Sequence, residues 1–107
     1  MPADPSGTLD VLVTYRTQTG KEDAAEALLQ RHWPLLHSHG LVTDTKALVW
    51  RTVDGNGDTY FYEVFTWTSA EALDEASANE EIGALWDEMA AAMAGQEIQR
   101  AARVAIG

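Results

Sequence analysis

The amino-acid sequence predicts an α+β fold in which two helices lie on one face of a four-stranded antiparallel sheet. Three patterns support this prediction. The stretch from Thr59 to Trp67 is rich in Tyr, Phe, Val and Trp, which is typical of a β-strand. Asp-Gly and Asn-Gly pairs within residues 54–58 separate two apolar runs and indicate a tight hairpin. Residues 19–40 and 79–95 each repeat apolar side chains at the helical period.

The first half of the chain is expected to contain a strand and a long helix. The strand covers Leu9 to Arg16, and the helix begins where Thr19 and Glu22 have the spacing of a capping box. Pro34 is expected to kink this helix or to begin a fresh helical turn, because proline cannot donate to the backbone ladder. Gly40 marks its end. The buried stripe of the helix comprises Ala25, Leu28, Leu29, His32 and Leu36.

The second half of the chain is expected to contribute three strands and the remaining helices. A second strand is predicted over Leu41 to Asp54, with the apolar run Ala47 to Trp50 at its buried centre. The third strand is Thr59 to Trp67. Thr68 and Ser69 precede a short helix, Ala70–Ser77. Asn79 caps a longer helix, Glu80–Ala94, which Gly95 ends. The last strand is Ile98–Ile106.

This order, β-α-β-β-α-β, corresponds to a ferredoxin-like arrangement, in which right-handed crossovers place both helices on the same face of the sheet. The third strand has large apolar side chains on both faces, however. Tyr60, Tyr62 and Val64 point to one face, and Phe61 and Phe65 point to the other. Because the helices cover only one face, the other would leave an apolar patch exposed. We therefore expect a homodimer in which two sheets cover one another.

Composition limits the classes of partner. The net charge of −10 argues against nucleic acid, since phosphate contacts need a basic surface, and it also disfavours anionic ligands. No apolar run approaches the roughly 20 residues of a membrane span, and there is no cysteine. Residues 1–8 are expected to form a disordered leader without the features of a signal peptide, and residues 9–107 one domain. The expected location is the cytoplasm.

The segment TYFYEVFTWTSAEALDEASANEEI, residues 59–82, resembles the antibiotic biosynthesis monooxygenase family. It matches an aromatic-x-Tyr-Glu-x-x-x-Trp pattern followed by a capped Glu-Ala-Leu. The resemblance implies a dimeric α+β barrel. The family includes enzymes that oxidise aromatic polyketides without a cofactor. Trp67 matches the tryptophan of quinone-forming members. Those members have Asn and Tyr where this chain has Glu63 and Leu73.

Two residues are candidates for catalysis. Glu63 is the only charge within the third strand, and a buried carboxylate must be paired or neutralised. Arg51 lies diagonally across the predicted hairpin and is its expected partner, while a general base is the alternative. His32 lies on the buried stripe of the first helix as a second candidate base. His37 and His39 are expected to be solvent-exposed, and neither a metal nor another cofactor is expected.

Four aromatic residues are candidates for substrate binding: Trp67, Trp86, Tyr62 and Trp33. Such side chains line flat pockets, and they serve equally well in a core or an interface. Trp67, Trp86 and His32 are expected to form the wall of any pocket between the sheet and the helices. The family resemblance favours a cofactor-independent monooxygenase acting on a small aromatic substrate. The alternative is a dimer of the same fold that binds a ligand or serves a structural role without turnover.

Overall fold

The computed structural model describes residues 7–107, and its four strands form one antiparallel sheet in the order β2-β3-β1-β4. The strands are β1 (Leu9–Thr17), β2 (Leu48–Val53), β3 (Thr59–Trp67) and β4 (Met93–Arg100). Three helices connect them: α1 (Glu22–Ser38), α2 (Ala72–Ala78) and α3 (Glu80–Ala92). This is the predicted ferredoxin-like arrangement, with the predicted short helix, α2, placed between β3 and α3.

The side chains of β3 alternate strictly between the two faces of the sheet. Phe61, Glu63, Phe65 and Trp67 are buried beneath the helices, while the residues between them are partly exposed. Strand β1 repeats the alternation, and its buried residues Val11, Val13 and Tyr15 lie beside those of β3. The two central strands therefore supply the floor of the core. The second face, which carries Tyr60, Tyr62 and Val64, lacks a covering element within the described residues.

The helix boundaries confirm some of the expected caps. Gly40 has a φ of +71°, and the amides of Gly40 and Leu41 donate to the carbonyls of His37 and Leu36, which gives the Schellman pattern expected after α1. Asn79 accepts a hydrogen bond from the amide of Ile82 at 3.0 Å, so it caps α3 as predicted.

The predicted start of α1 is wrong, and the fresh helical turn that was one of two expectations at Pro34 does not occur. Thr19 makes no cap, since Gly20, with a φ of +88°, turns the chain and Glu22 accepts from the Gly20 amide instead. The helix also continues through Pro34 to Ser38 without a fresh start. Pro34 is exposed, so water can reach the carbonyl that loses its hydrogen bond there.

The two edge strands differ most from the prediction. Strand β2 covers only Leu48–Val53, and all its residues are exposed rather than buried, because it has just one neighbour. Strand β4 begins directly after α3 at Met93, so Gly95 lies within a strand instead of ending the helix. The expected last strand, Ile98–Ile106, overlaps it for only a few residues. Residues 101–107 have no regular structure.

Within residues 7–107, no helix has both the length and the apolar character that crossing a bilayer requires. The expected disordered leader falls mainly on residues 1–6, which lie outside the described part of the chain.

Candidate active site

A buried hydrogen-bonded cluster of four side chains lies between the sheet and the helices. At its centre is Glu63, which is fully buried on β3. The Tyr15 hydroxyl on β1 donates to Glu63 Oε1 at 2.8 Å. On the helix side, His32 Nδ1 lies 3.0 and 2.9 Å from the two carboxylate oxygens. The carboxylate thus has two neutral donors within reach, which is how a fold tolerates a buried acidic group.

The fourth member, Trp86, fixes the tautomer of His32. Its indole nitrogen, Nε1, lies 2.9 Å from His32 Nε2. An indole N–H is only a donor, so Nε2 must be the accepting, unprotonated nitrogen of the ring. The ring proton is therefore on Nδ1 and is donated to Glu63. His32 is a neutral imidazole, held from behind by a carboxylate, with a basic nitrogen on the side of Trp86.

Tyr15 acts in the cluster only as a donor. Burial raises the pKa of the Tyr15 phenol far above its usual range, and the nearby Glu63 carboxylate raises it further. The hydroxyl consequently keeps its proton at every pH at which the protein functions. Tyr15 therefore holds Glu63 in place and is not a candidate base.

A cavity of about 390 Å³ opens beside this cluster. Its floor is formed by apolar side chains of β1 and β3, and Trp86 and Met89 of α3 contribute to its wall. His32 and Tyr15 contribute polar groups. The full lining is Leu9, Val11, Val13, Tyr15, His32, Phe65, Trp67, Ala70, Leu73, Trp86, Met89, Gln96, Ile98 and Arg100. A cavity with aromatic walls and few polar groups suits a flat, weakly polar molecule.

The structure brings together most, but not all, of the residues selected from the sequence. Trp67, Trp86 and His32 line the cavity, and Glu63 lies directly behind His32. Tyr62 does not line the cavity, because its position on β3 directs it to the opposite face of the sheet.

Trp33 is also outside the cavity. It stacks on His37 with ring centroids 4.6 Å apart, and its indole nitrogen is buried without a hydrogen-bond partner among the described residues. The substrate-binding role assigned to Tyr62 and Trp33 therefore does not fit this geometry.

The predicted Arg51–Glu63 ion pair is wrong. Arg51 extends away from the sheet and lies 3.0 Å from both Asp23 and Glu26 of α1. The predicted diagonal position of Arg51 relative to Glu63 is correct, because Arg51 pairs with Phe61 and Val49 pairs with Glu63. The long Arg51 side chain instead reaches solvent-exposed carboxylates, where a guanidinium avoids the cost of desolvation. Glu63 is therefore hydrogen-bonded to Tyr15 and His32 instead.

His37 and His39 bind different partners at the end of α1. His37 lies 2.8 Å from Asp44, and His39 lies 2.8 Å from Glu81 at the start of α3. His39 is exposed as expected, whereas His37 is partly covered. In residues 7–107, no three His, Cys, Asp or Glu side chains converge as metal ligands would.

Sequence reasoning missed Tyr15, Gln96 and Arg100. The signal for Tyr15 was present, since it shares a face with Val13, which pairs directly with Glu63. Gln96 was missed because the last strand was placed too late in the chain. Arg100 lay within the predicted strand but was not selected as a site residue.

No family model and no curated protein matches this sequence. Solved structures do match its fold. SnoaB of Streptomyces nogalater, a cofactor-independent oxygenase, superposes with a TM-score of 0.69 at 12% identity over 92% of this chain and 96% of that one. A crystal structure of an antibiotic biosynthesis monooxygenase gives 0.70 at 17% identity over 91% and 99%. PA3566 of Pseudomonas aeruginosa gives 0.73 at 16% identity over 96% and 100%.

The chain has the fold of the antibiotic biosynthesis monooxygenases. These identities are too low to transfer an activity, so function has to be argued from the cavity. Of the positions singled out by the sequence resemblance, Trp67 and Leu73 line it and Glu63 lies behind its polar wall.

Proposed function

We propose that this protein is a cofactor-independent monooxygenase that acts on a small, planar aromatic substrate in the cavity beside His32. The observation that carries the proposal is the Glu63–His32 pair, which presents the unprotonated Nε2 of a buried imidazole at the cavity wall. The fold shared with a cofactor-independent oxygenase supports the same reaction class.

In this proposal His32 is the general base. Glu63 accepts the Nδ1 proton and stabilises the imidazolium that forms when Nε2 takes a proton from the substrate. An orienting carboxylate behind a histidine performs this task in the Ser-His-Asp hydrolases. Nε2 must first exchange the Trp86 indole for the acidic C–H or O–H of the substrate. Trp86 is only half-buried and lies in the cavity wall, so its displacement does not require the core to open.

The chemistry that follows needs no external reductant. A deprotonated, electron-rich aromatic can itself transfer electrons to oxygen. Conversion of a ring CH₂ group to a carbonyl removes four electrons, and these reduce O₂ to the carbonyl oxygen and one water. The apolar lining contributes by excluding water from the carbanion and from reduced oxygen species. This division of labour suits a cavity that has one base and little other polar functionality.

One observation favours the alternative, a protein that binds a ligand without turnover. The indole N–H of Trp86 occupies the nitrogen that a base would use, at 2.9 Å. If this bond persists when a ligand is bound, His32 is a structural acceptor and cannot remove a proton. The two functions therefore differ in whether ligand binding displaces Trp86.

Oxygen uptake with an anthrone-type substrate tests the proposal. We expect one O₂ consumed per substrate, formation of the corresponding quinone, and no requirement for added flavin or metal. Quenching of tryptophan fluorescence by the same compound reports binding, and Trp86→Ala is expected to weaken the response. Binding of such compounds without oxygen uptake would refute the proposed monooxygenase activity and support the alternative of a protein that binds a ligand without turnover. Absence of both would show that the cavity is not a ligand site.

We further propose that the protein is a homodimer in which the open faces of two sheets pack together. Leu48 and Trp50 of β2 are 58% and 50% exposed, and they lie beside Val64 and Tyr62 of β3. These side chains form an apolar surface on the face opposite the helices. Contiguous surfaces of this kind usually mark an interface.

Light scattering tests the assembly, and we expect about twice the chain mass of 11.7 kDa. Tyr62→Asp places a charge in the centre of the proposed interface and is expected to weaken dimerisation by at least about tenfold. Val53→Asp is the control, because Val53 is 64% exposed but points to the other face of β2. A folded wild-type monomer at micromolar concentration would rule out the interface.

A further inference from the structure

We propose that Arg100 determines specificity by binding an anionic group, such as a carboxylate, on the edge of the substrate furthest from His32. This inference rests on the proposed function, because it assumes that an aromatic ligand occupies the cavity. It adds to that function the chemical class of the substrate, namely a fused aromatic acid.

The first support is the charge of the cavity lining. Among the described residues that line the cavity, Arg100 is the only formally charged one, and none is acidic. Glu63 is screened from the cavity by Tyr15 and His32, to which it is hydrogen-bonded. A ligand in this cavity therefore meets one positive charge and no opposing carboxylate.

The second support is that Arg100 is unpaired within residues 7–107. The chain has 17 acidic residues against seven basic ones, so partners are abundant. Three of the other four arginines, Arg31, Arg51 and Arg103, lie within ion-pair distance of a carboxylate, and Arg16 does not in the described part of the chain. Arg100 likewise makes no such contact there and keeps all five guanidinium donors available. An arginine fork matches a carboxylate in geometry and binds it through two parallel hydrogen bonds.

The sheet register places Arg100 and His32 at opposite ends of the cavity. Arg100 and Phe65 both pair with Val11, one from each side, so they are two strand spacings apart, about 10 Å. The His32 ring packs edge-on against Phe65, with centroids 5.8 Å apart. Val11 and Val13 form the apolar floor between the two ends. This span is too long for a single ring and suits two or three fused rings.

The overall acidity of the protein does not oppose this assignment. The net charge of −10 repels anions at a distance, and that repulsion is screened beyond about 8 Å at physiological salt. Once the ligand is in the cavity, the contact with Arg100 is the closest electrostatic interaction. The proposed contact with Arg100 thus runs against the expectation from composition that anionic ligands are disfavoured.

A matched pair of ligands tests the inference by fluorescence quenching: anthraquinone-2-carboxylate and its neutral carboxamide. The carboxylate is expected to bind wild-type protein about fivefold to tenfold more tightly. Arg100→Gln should remove this preference while leaving the carboxamide affinity unchanged. Arg103→Gln is the control, because it makes the same change in net charge on a neighbouring residue outside the cavity lining.

Equal affinity of wild-type protein for the two ligands would overturn the assignment of Arg100 and leave the proposed oxygenase intact. An equal loss in Arg100→Gln and Arg103→Gln would also overturn it, since it would reflect the overall charge. Failure of both ligands to bind would overturn this inference and the proposed function together.

Discussion

Replacing Glu63 with leucine is expected to lower the free energy of unfolding by about 3–5 kcal/mol. The leucine fits the apolar surroundings, but it leaves the Tyr15 hydroxyl and the His32 Nδ1–H buried without an acceptor. A buried donor without a partner costs its full desolvation energy, and the loss arises from these two groups more than from the carboxylate itself. Urea denaturation followed by tryptophan fluorescence measures the change.

A double-mutant cycle separates this cause from a general loss of packing. Tyr15→Phe alone should cost only about 1 kcal/mol, because Glu63 keeps its contact with His32. In the Tyr15→Phe background, Glu63→Leu should cost at least about 1 kcal/mol less than in wild type, since one unpaired donor is gone. Additive losses would mean that Tyr15 and Glu63 are not coupled. Glu63→Gln, which keeps one acceptor oxygen, should fall between wild type and Glu63→Leu.

Replacing His32 with asparagine is expected to reduce the rate of oxygen uptake by about 10²- to 10⁴-fold, the usual contribution of a general base. Asparagine can still donate to Glu63, so the carboxylate is not left unpaired. Ligand affinity, measured by fluorescence quenching, should change only a few-fold, because the apolar lining is intact. The loss should therefore lie in kcat rather than KM.

His37→Asn is the matched control, since His37 lies on the same helix but pairs with Asp44 outside the cavity. It should leave both turnover and binding unchanged. Retention of turnover by His32→Asn would assign the base to another group and would leave His32 as a buried structural residue. Loss of turnover in both variants would indicate that the assay reports helix stability rather than proton transfer.

The sequence predicted the bounds of the central strands more accurately than those of the edge strands. The third strand was found from the sequence because eight of its nine residues have high strand propensity and the segment lies between clear turn and cap signals. The ends of β4 were not found, because α3 passes into β4 without a turn at Met93. Gly95 was given the role of a helix stop, since glycine in that position usually has it. This error placed Gln96 outside any predicted strand, so its position beside Tyr15 on the buried face was not recognised.

The sequence by itself determined the fold class, the side chains that share a face of β3 and the presence of His32 on the buried side of α1, because all three follow from side-chain periodicity and turn signals. Only the tertiary structure decided which partners these residues have. Glu63 had Arg51 within reach along the hairpin, yet it bonds Tyr15 and His32, from elements 48 and 31 residues away. The reason is that periodicity assigns a side chain to a face, whereas the crossing of α1 over the sheet determines which side chains meet there. The flexible Arg51 side chain can extend to the exposed carboxylates of α1, whereas the buried Glu63 carboxylate must find its partners inside the core.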